Sequence, residues 1–210
     1  MTHTDMIAKI CTAAPVIPVL TIDRVQDAQP LARALVAGGL PALEITLRTD
    51  AAMEAIAAVA EVEGALAGVG TLLTTAQIRD AKSAGATFGV SPGATESIIK
   101  AAQDYDLPLL PGAATATEAM RLLEQGFVFQ KFFPAEAAGG APALGSMAGP
   151  LPQITFCPTG GVTPENAKTY LALPNTRCVG GSWIAPKALI DAGDWEQITQ
   201  IARRAADLLE

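Results

Sequence analysis

Ala42-Leu43-Glu44-Ile45-Thr46-Leu47-Arg48 alternates apolar and polar residues throughout, with Leu43, Ile45 and Leu47 on one face and Glu44, Thr46 and Arg48 on the other. A period of two marks a β-strand. Two structures carry such a pattern: an amphipathic edge strand with its polar face in water, and a barrel strand whose apolar face meets helices while its polar face turns inward. The flanking sequence decides between them. In both directions, short runs rich in Val, Ile, Leu and Phe alternate with longer segments of helical period. Strands are predicted over 16–21, 42–48, 66–70, 87–91, 107–111, 128–133, 154–159 and 177–181.

The intervening segments have helical starts, faces and stops. Ala28, Leu31, Ala32, Leu35 and Val36 form a stripe that Gly38-Gly39 terminates. Thr163-Pro164-Glu165 supplies an N-cap, a proline for the first helical position and an acid for the first turn. Asp194 caps a last helix on which Trp195, Ile198, Ile201, Ala205 and Leu208 follow helical spacing, and a short helix over 5–12 precedes the first strand. First to eighth strand spans ~160 residues in seven steps, about 23 per unit, which suits a compact (β/α)8 TIM barrel occupying 1–210 as one α/β domain. An open dinucleotide-binding sheet wants GxGxxG after its first strand; Thr21-Ile22-Asp23 stands there, and Gly68-Val69-Gly70 lacks the third glycine. In a barrel, Glu44 and Arg48 project into the interior.

Of the 210 residues half are apolar, yet the run 13–20 is short and broken by Pro15 and Pro18, far from the ~20 residues of a spanning helix. No secretory h-region follows the start, so a cytoplasmic location is expected. Fourteen basic against 21 acidic residues give a net charge of -7, which disfavours nucleic acid and anionic membranes as partners. Cys11, Cys157 and Cys178 are odd in number and lack CxxC spacing, which points to buried small hydrophobes rather than disulfides or a zinc site. The single histidine, His3, lies near the terminus, so histidine triads and multi-histidine metal sites are out of reach. Lysine, carboxylate and backbone chemistry remain, with no metal or other cofactor expected.

Lys131 lies in Val128-Phe129-Gln130-Lys131-Phe132-Phe133 and shares a face with Phe129 and Phe133. The other lysines, Lys9, Lys82, Lys100, Lys168 and Lys187, fall in predicted helices or loops. A buried lysine is ordinarily paired, so a structural ion pair with Glu44 is one reading. The other is a Schiff-base nucleophile, whose amine an apolar pocket and a cationic neighbour such as Arg48 would make reactive. Arg48 is alternatively suited to hold a substrate carboxylate bidentately while Glu44 shuttles protons. The last two strands end in Pro158-Thr159-Gly160-Gly161 and Val179-Gly180-Gly181-Ser182, where a barrel often binds phosphate. Amides of Gly181, Ser182 and Trp183 are expected to open a short helix there. Thr71 and Thr159 are candidate hydroxyl donors, Pro92 shapes a turn beside the pocket, and Phe133 forms a wall.

Taken together, Leu43-Glu44-Ile45-Thr46-Leu47-Arg48-Thr49, Gly70-Thr71, Ser91-Pro92-Gly93, Lys131-Phe132-Phe133-Pro134-Ala135-Glu136, Cys157-Pro158-Thr159-Gly160-Gly161 and Gly180-Gly181-Ser182-Trp183 make the chain resemble the 2-keto-3-deoxy-6-phosphogluconate (KDPG) / 4-hydroxy-2-oxoglutarate (KHG) aldolase family. The resemblance covers nearly the whole length. It implies a metal-independent class I aldolase, usually a homotrimer, that cleaves 2-dehydro-3-deoxy-6-phosphogluconate to pyruvate and glyceraldehyde 3-phosphate in the Entner-Doudoroff pathway. By the same resemblance, Lys131 forms the imine, Glu44 is the acid/base group, and Arg48 with Thr71 binds the pyruvoyl carboxylate. Thr159 lies by the reacting hydroxyl, Gly160, Gly161, Gly181 and Ser182 bind the phosphate, and Pro92 and Phe133 line the pocket. Ala94, Ala113-Ala114 and Ala137-Ala138 replace residues more usual in the family and bear on pocket width. The alternatives are an aldolase acting mainly on 4-hydroxy-2-oxoglutarate or on the galactonate epimer, and a non-catalytic phosphosugar-binding barrel, which would have no use for Lys131.

Overall fold

In the computed structural model, residues 2–209 are described. Strands and helices alternate as their sequence periods require. The strands are β1 (Val16–Leu20), β2 (Ala42–Thr46), β3 (Leu66–Gly70), β4 (Phe88–Val90), β5 (Leu109–Leu110), β6 (Gly112–Ala113), β7 (Phe129–Phe132), β8 (Thr155–Pro158) and β9 (Val179–Gly181). The helices are α1 (His3–Thr12), α2 (Val25–Ala37), α3 (Ala52–Ala60), α4 (Thr75–Ser83), α5 (Glu96–Asp104), α6 (Ala116–Glu124), α7 (Gly140–Ser146), α8 (Pro164–Leu171), α9 (Lys187–Ala192) and α10 (Trp195–Ala206). Threonines cap α4, α5, α6 and α8, each hydroxyl accepting from an amide of the first turn, and Asp194 caps α10 in the same way.

All strand pairs are parallel, in a six-stranded sheet of order β5-β4-β3-β2-β1-β9 and a three-stranded sheet of order β6-β7-β8. The uninterrupted eight-stranded ring expected from the sequence is therefore replaced by two curled sheets. The fifth predicted strand is split at Pro111, which has no N–H to give a ladder, although its carbonyl accepts from the Lys131 amide at 2.8 Å. On the other side, isolated bridges pair Thr159 with Gly180 and Phe156 with Thr176.

Period two sorts the buried side chains into two apolar clusters. Outward residues such as Leu43, Ile45, Val69 and Phe132 meet the helices, along with the α2 stripe Ala28, Leu31, Ala32 and Leu35. Inward, Ile17, Ala42, Phe88, Val90, Leu110, Cys157 and Cys178 form a second cluster, floored by Ile7, Ile10 and Cys11 of α1. The three cysteines are free and buried, and hydrogen bonds to Cys11 and Cys157 together with burial push the Cys178 thiol up, so it stays a thiol in apolar packing.

Two further expectations are corrected. β2 ends at Thr46 because the Arg48 amide turns back to the Thr46 carbonyl at 2.8 Å, so the alternation stops before Leu47 and Arg48 lies in an exposed bend rather than on the strand. Beyond β9, residues 182–186 form a turn; the helix expected at Gly181 starts only at Lys187. Among the described residues no helix is long and apolar enough to cross a membrane.

Candidate active site

Lys131 stands on β7 and Glu44 on β2, in different sheets, and the two meet across the interior: Lys131 Nζ donates to Glu44 Oε1 at 3.1 Å. Lys131 is 5% exposed and Glu44 3%. Such a pair is a poor source of stability, since desolvating two charges offsets their attraction and apolar replacements of equal volume are often neutral or stabilising by about 1–4 kcal/mol. Its chemistry is more telling. One proton moved along this hydrogen bond converts ammonium and carboxylate into free amine and acid, the two forms that imine formation needs. The Phe133 ring, 5.2 Å from Nζ, screens the amine from water on one side.

The space for this pair is made by missing side chains. A Cβ on Gly70 would lie 2.4 Å from Glu44 Oε1, and one on Gly68 would strike the Phe88 ring at 2.1 Å. Both glycines lie on the inward face of β3, with Glu44 registered on Gly68 and Thr46 on Gly70. The Gly68-Val69-Gly70 spacing, unproductive as a nucleotide motif, is thus a period-two pair that clears room for the Phe88 ring and the Glu44 carboxylate. Across the interior, Thr159 is buried and its hydroxyl donates to the Cys157 carbonyl at 3.4 Å; a Cβ on Gly180 would lie 2.2 Å from its Oγ1.

Thr71 follows Gly70 with φ +62°, a left-handed conformation that is a genuine outlier for a β-branched residue and costs of order 1–3 kcal/mol. The surrounding ladder enforces it: the Leu47 amide donates to Gly70 O and the Leu72 amide to Val90 O. This holds Thr71 at the mouth, next to the strand end from which Arg48 emerges. Arg48 is exposed and makes no ion pair among the described residues; the charged group that meets Nζ is the Glu44 carboxylate. Pro92 is half-buried at the end of β4, with its carbonyl where a Cβ on Gly112 would fall.

The two glycine pairs serve different needs. Gly160 and Gly161 have φ +96° and +80°, which favours glycine, and Gly160 packs on the Phe133 ring. Gly180 and Gly181 instead permit close approach, to Thr159 and to the Trp183 ring. The amides of Gly161 and Ser182 donate to no acceptor among the described residues, which leaves N–H groups free at these strand ends, whereas the Thr159–Gly180 bridge turns the Gly160 amide toward the Gly180 carbonyl.

Residues 7–201 of the chain match a known family, described as KDPG and KHG aldolase. The chain belongs to that family. The aldolase is 47% identical over 197 residues to the 2-dehydro-3-deoxy-phosphogluconate aldolase of Pseudoalteromonas atlantica, covering 93% of this chain and 92% of the relative. Among solved structures it is similar to KDPG aldolase from Legionella pneumophila with pyruvate captured as a covalent carbinolamine intermediate, at 45% identity and TM-score 0.91, covering 94% of this chain and 97% of that one. It is also similar to the Zymomonas mobilis ZM4 enzyme with 3-phosphoglycerate, at 47% identity and TM-score 0.92, covering 99% and 97%. Glu136, quoted in the sequence motif without a role, and Gly68 are the residues of this region that sequence reasoning left unassigned; inward period-two spacing was the available signal for Gly68.

Proposed function

We propose that the aldolase cleaves 2-dehydro-3-deoxy-6-phosphogluconate to pyruvate and glyceraldehyde 3-phosphate through an imine on Lys131. The observation that carries this reading is the 3.1 Å hydrogen bond between two buried groups from opposite sheets. The free amine adds to the C2 carbonyl, and the carbinolamine loses water to give a protonated imine. The C4 hydroxyl gives its proton to Glu44, the C3–C4 bond breaks, and its electron pair flows into the imine nitrogen as the aldehyde departs. Glu44 returns a proton to C3 of the enamine, and water adds back to release pyruvate and the lysine. The imine is the electron sink, so the sequence of steps calls for no metal or other cofactor.

Arg48 and Thr71, at the neighbouring ends of β2 and β3, are assigned to the carboxylate of the 2-keto acid, and Thr159 to the reacting hydroxyl. Pro92 and Phe133 bound the pocket. The phosphate is assigned to Gly160, Gly161, Gly181 and Ser182; the free amides of Gly161 and Ser182 favour this. The two sheets are read as one closed (β/α)8 ring, with β5 and β6 a single strand bent at Pro111 and β8 joined to β9 through the Thr159–Gly180 bridge. The enzyme is placed in the cytoplasm as a homotrimer, for which sedimentation should give three chains.

The family also bears the name of KHG aldolase, and an unphosphorylated substrate is the second reading. Comparing kcat/KM on the six-carbon phosphate, its galactonate epimer and 4-hydroxy-2-oxoglutarate separates them. The gluconate-derived phosphate is expected to be preferred; equal or better use of 4-hydroxy-2-oxoglutarate would overturn the first reading.

A further inference from the structure

Tyr170 of α8 is 1% exposed, the largest fully buried side chain of the protein, yet its hydroxyl is not idle: it donates to Glu136 Oε1. Glu136 lies in the turn after β7. Its own amide donates to the Gly160 carbonyl at 3.0 Å, and the preceding Ala135 amide donates to the Thr159 carbonyl at 2.8 Å. Its Cβ and Cγ lie where a Cβ on Gly161 would be, at 2.7 and 2.6 Å. From the other side, Asn166 Nδ2 of α8 donates to the Gly161 carbonyl at 3.1 Å. The segment 159–161 is therefore clamped between the Glu136 turn and α8, and the clamp is tied by the Tyr170–Glu136 hydrogen bond. All of these bonds take up carbonyls, and with the Gly160 amide turned toward the Gly180 carbonyl by the Thr159–Gly180 bridge, the Gly161 amide is the uncommitted group of the turn.

We propose that Tyr170 and Glu136 are positioning residues for the phosphate end of the substrate, holding the Gly160-Gly161 turn so that the Gly161 amide stays directed to the ligand. The inference rests on the assignment of phosphate to that turn. A hydrogen bond to a charged carboxylate is among the stronger ones, so its loss is expected to be felt by the loop it braces. Burial and then the Glu136 hydrogen bond push the Tyr170 phenol up, which keeps it a donor at working pH. Neither side chain is needed for imine formation, so their effect should follow the phosphate and not the keto acid.

The test compares kcat/KM on the phosphorylated six-carbon substrate and on unphosphorylated 4-hydroxy-2-oxoglutarate, in the intact enzyme, Tyr170→Phe, Glu136→Ala and Glu136→Gln. Tyr170→Phe and Glu136→Ala should each lose roughly tenfold on the phosphorylated substrate, mostly in KM, and change less than twofold on the other. Glu136→Gln keeps an acceptor for the phenol and should retain most of the preference. Equal losses on both substrates, or an unchanged ratio, would overturn the proposal. An intact enzyme with no preference for the phosphate, uninhibited by inorganic phosphate, overturns the underlying assignment as well, a result distinct from a variant that keeps the preference.

Discussion

Borohydride reduction in the presence of pyruvate is expected to fix the three-carbon unit on Lys131 alone. The five other lysines, Lys9, Lys82, Lys100, Lys168 and Lys187, are exposed, so none has an apolar pocket around its amine. Lys131 alone is buried against a carboxylate that can take its proton. Lys131→Met keeps an unbranched side chain one atom shorter and is expected to lower kcat by on the order of 10⁴-fold or more, because the electron sink itself is removed. The variant leaves Glu44 buried without its partner, a change that costs about 3–5 kcal/mol if the carboxylate stays charged. Thermal melting should therefore accompany the assay, and the loss counts where the variant is folded at the assay temperature. A reduced adduct mapped by mass spectrometry to another lysine would overturn the assignment.

Gly70→Ala tests the acid/base partner without touching either ionisable group. Gly70 has an ordinary negative-φ backbone that alanine can adopt, but its Cβ would lie 2.4 Å from Glu44 Oε1 and 2.6 Å from Cγ, so the carboxylate must move. Displacing a reacting group by about 1 Å can cost 10²-fold in rate. We expect kcat to fall by roughly that factor, and exchange of the pyruvate methyl protons with D2O to fall in parallel, since both need Glu44 beside the enamine carbon. Pyruvate should still be trapped on Lys131. An alanine variant that exchanges at the full rate would show that Glu44 is not the group that moves the proton.

The eight strand positions and the inward placement of Glu44 and Lys131 were legible because strand period and burial act on every residue of an element at once. The ends were less so. Arg48 continues the alternation of 42–48 faultlessly, yet one amide turning back to the Thr46 carbonyl takes it off the strand, and periodicity carries no information about such a turn. Pro111 was visible, but its effect on sheet continuity depends on which neighbour needed the missing N–H. The helix expected after Gly180-Gly181 failed because a glycine pair fits a turn as well as a helix start. Thr71 and Tyr170 mark a deeper limit: left-handed backbone in a threonine and a hydroxyl tied to Glu136 arise from tertiary contacts that no local pattern encodes.

The α1 plug has one more consequence. Ile7, Ile10 and Cys11 pack in one buried cluster with Phe88 and Cys157, so α1 closes that end of the interior with apolar side chains. With pyruvate fixed to Lys131 as the imine, the phosphorylated aldehyde is expected to depart first in cleavage and pyruvate last, and pyruvate to be loaded before its partner in synthesis, an order that product-inhibition patterns read directly.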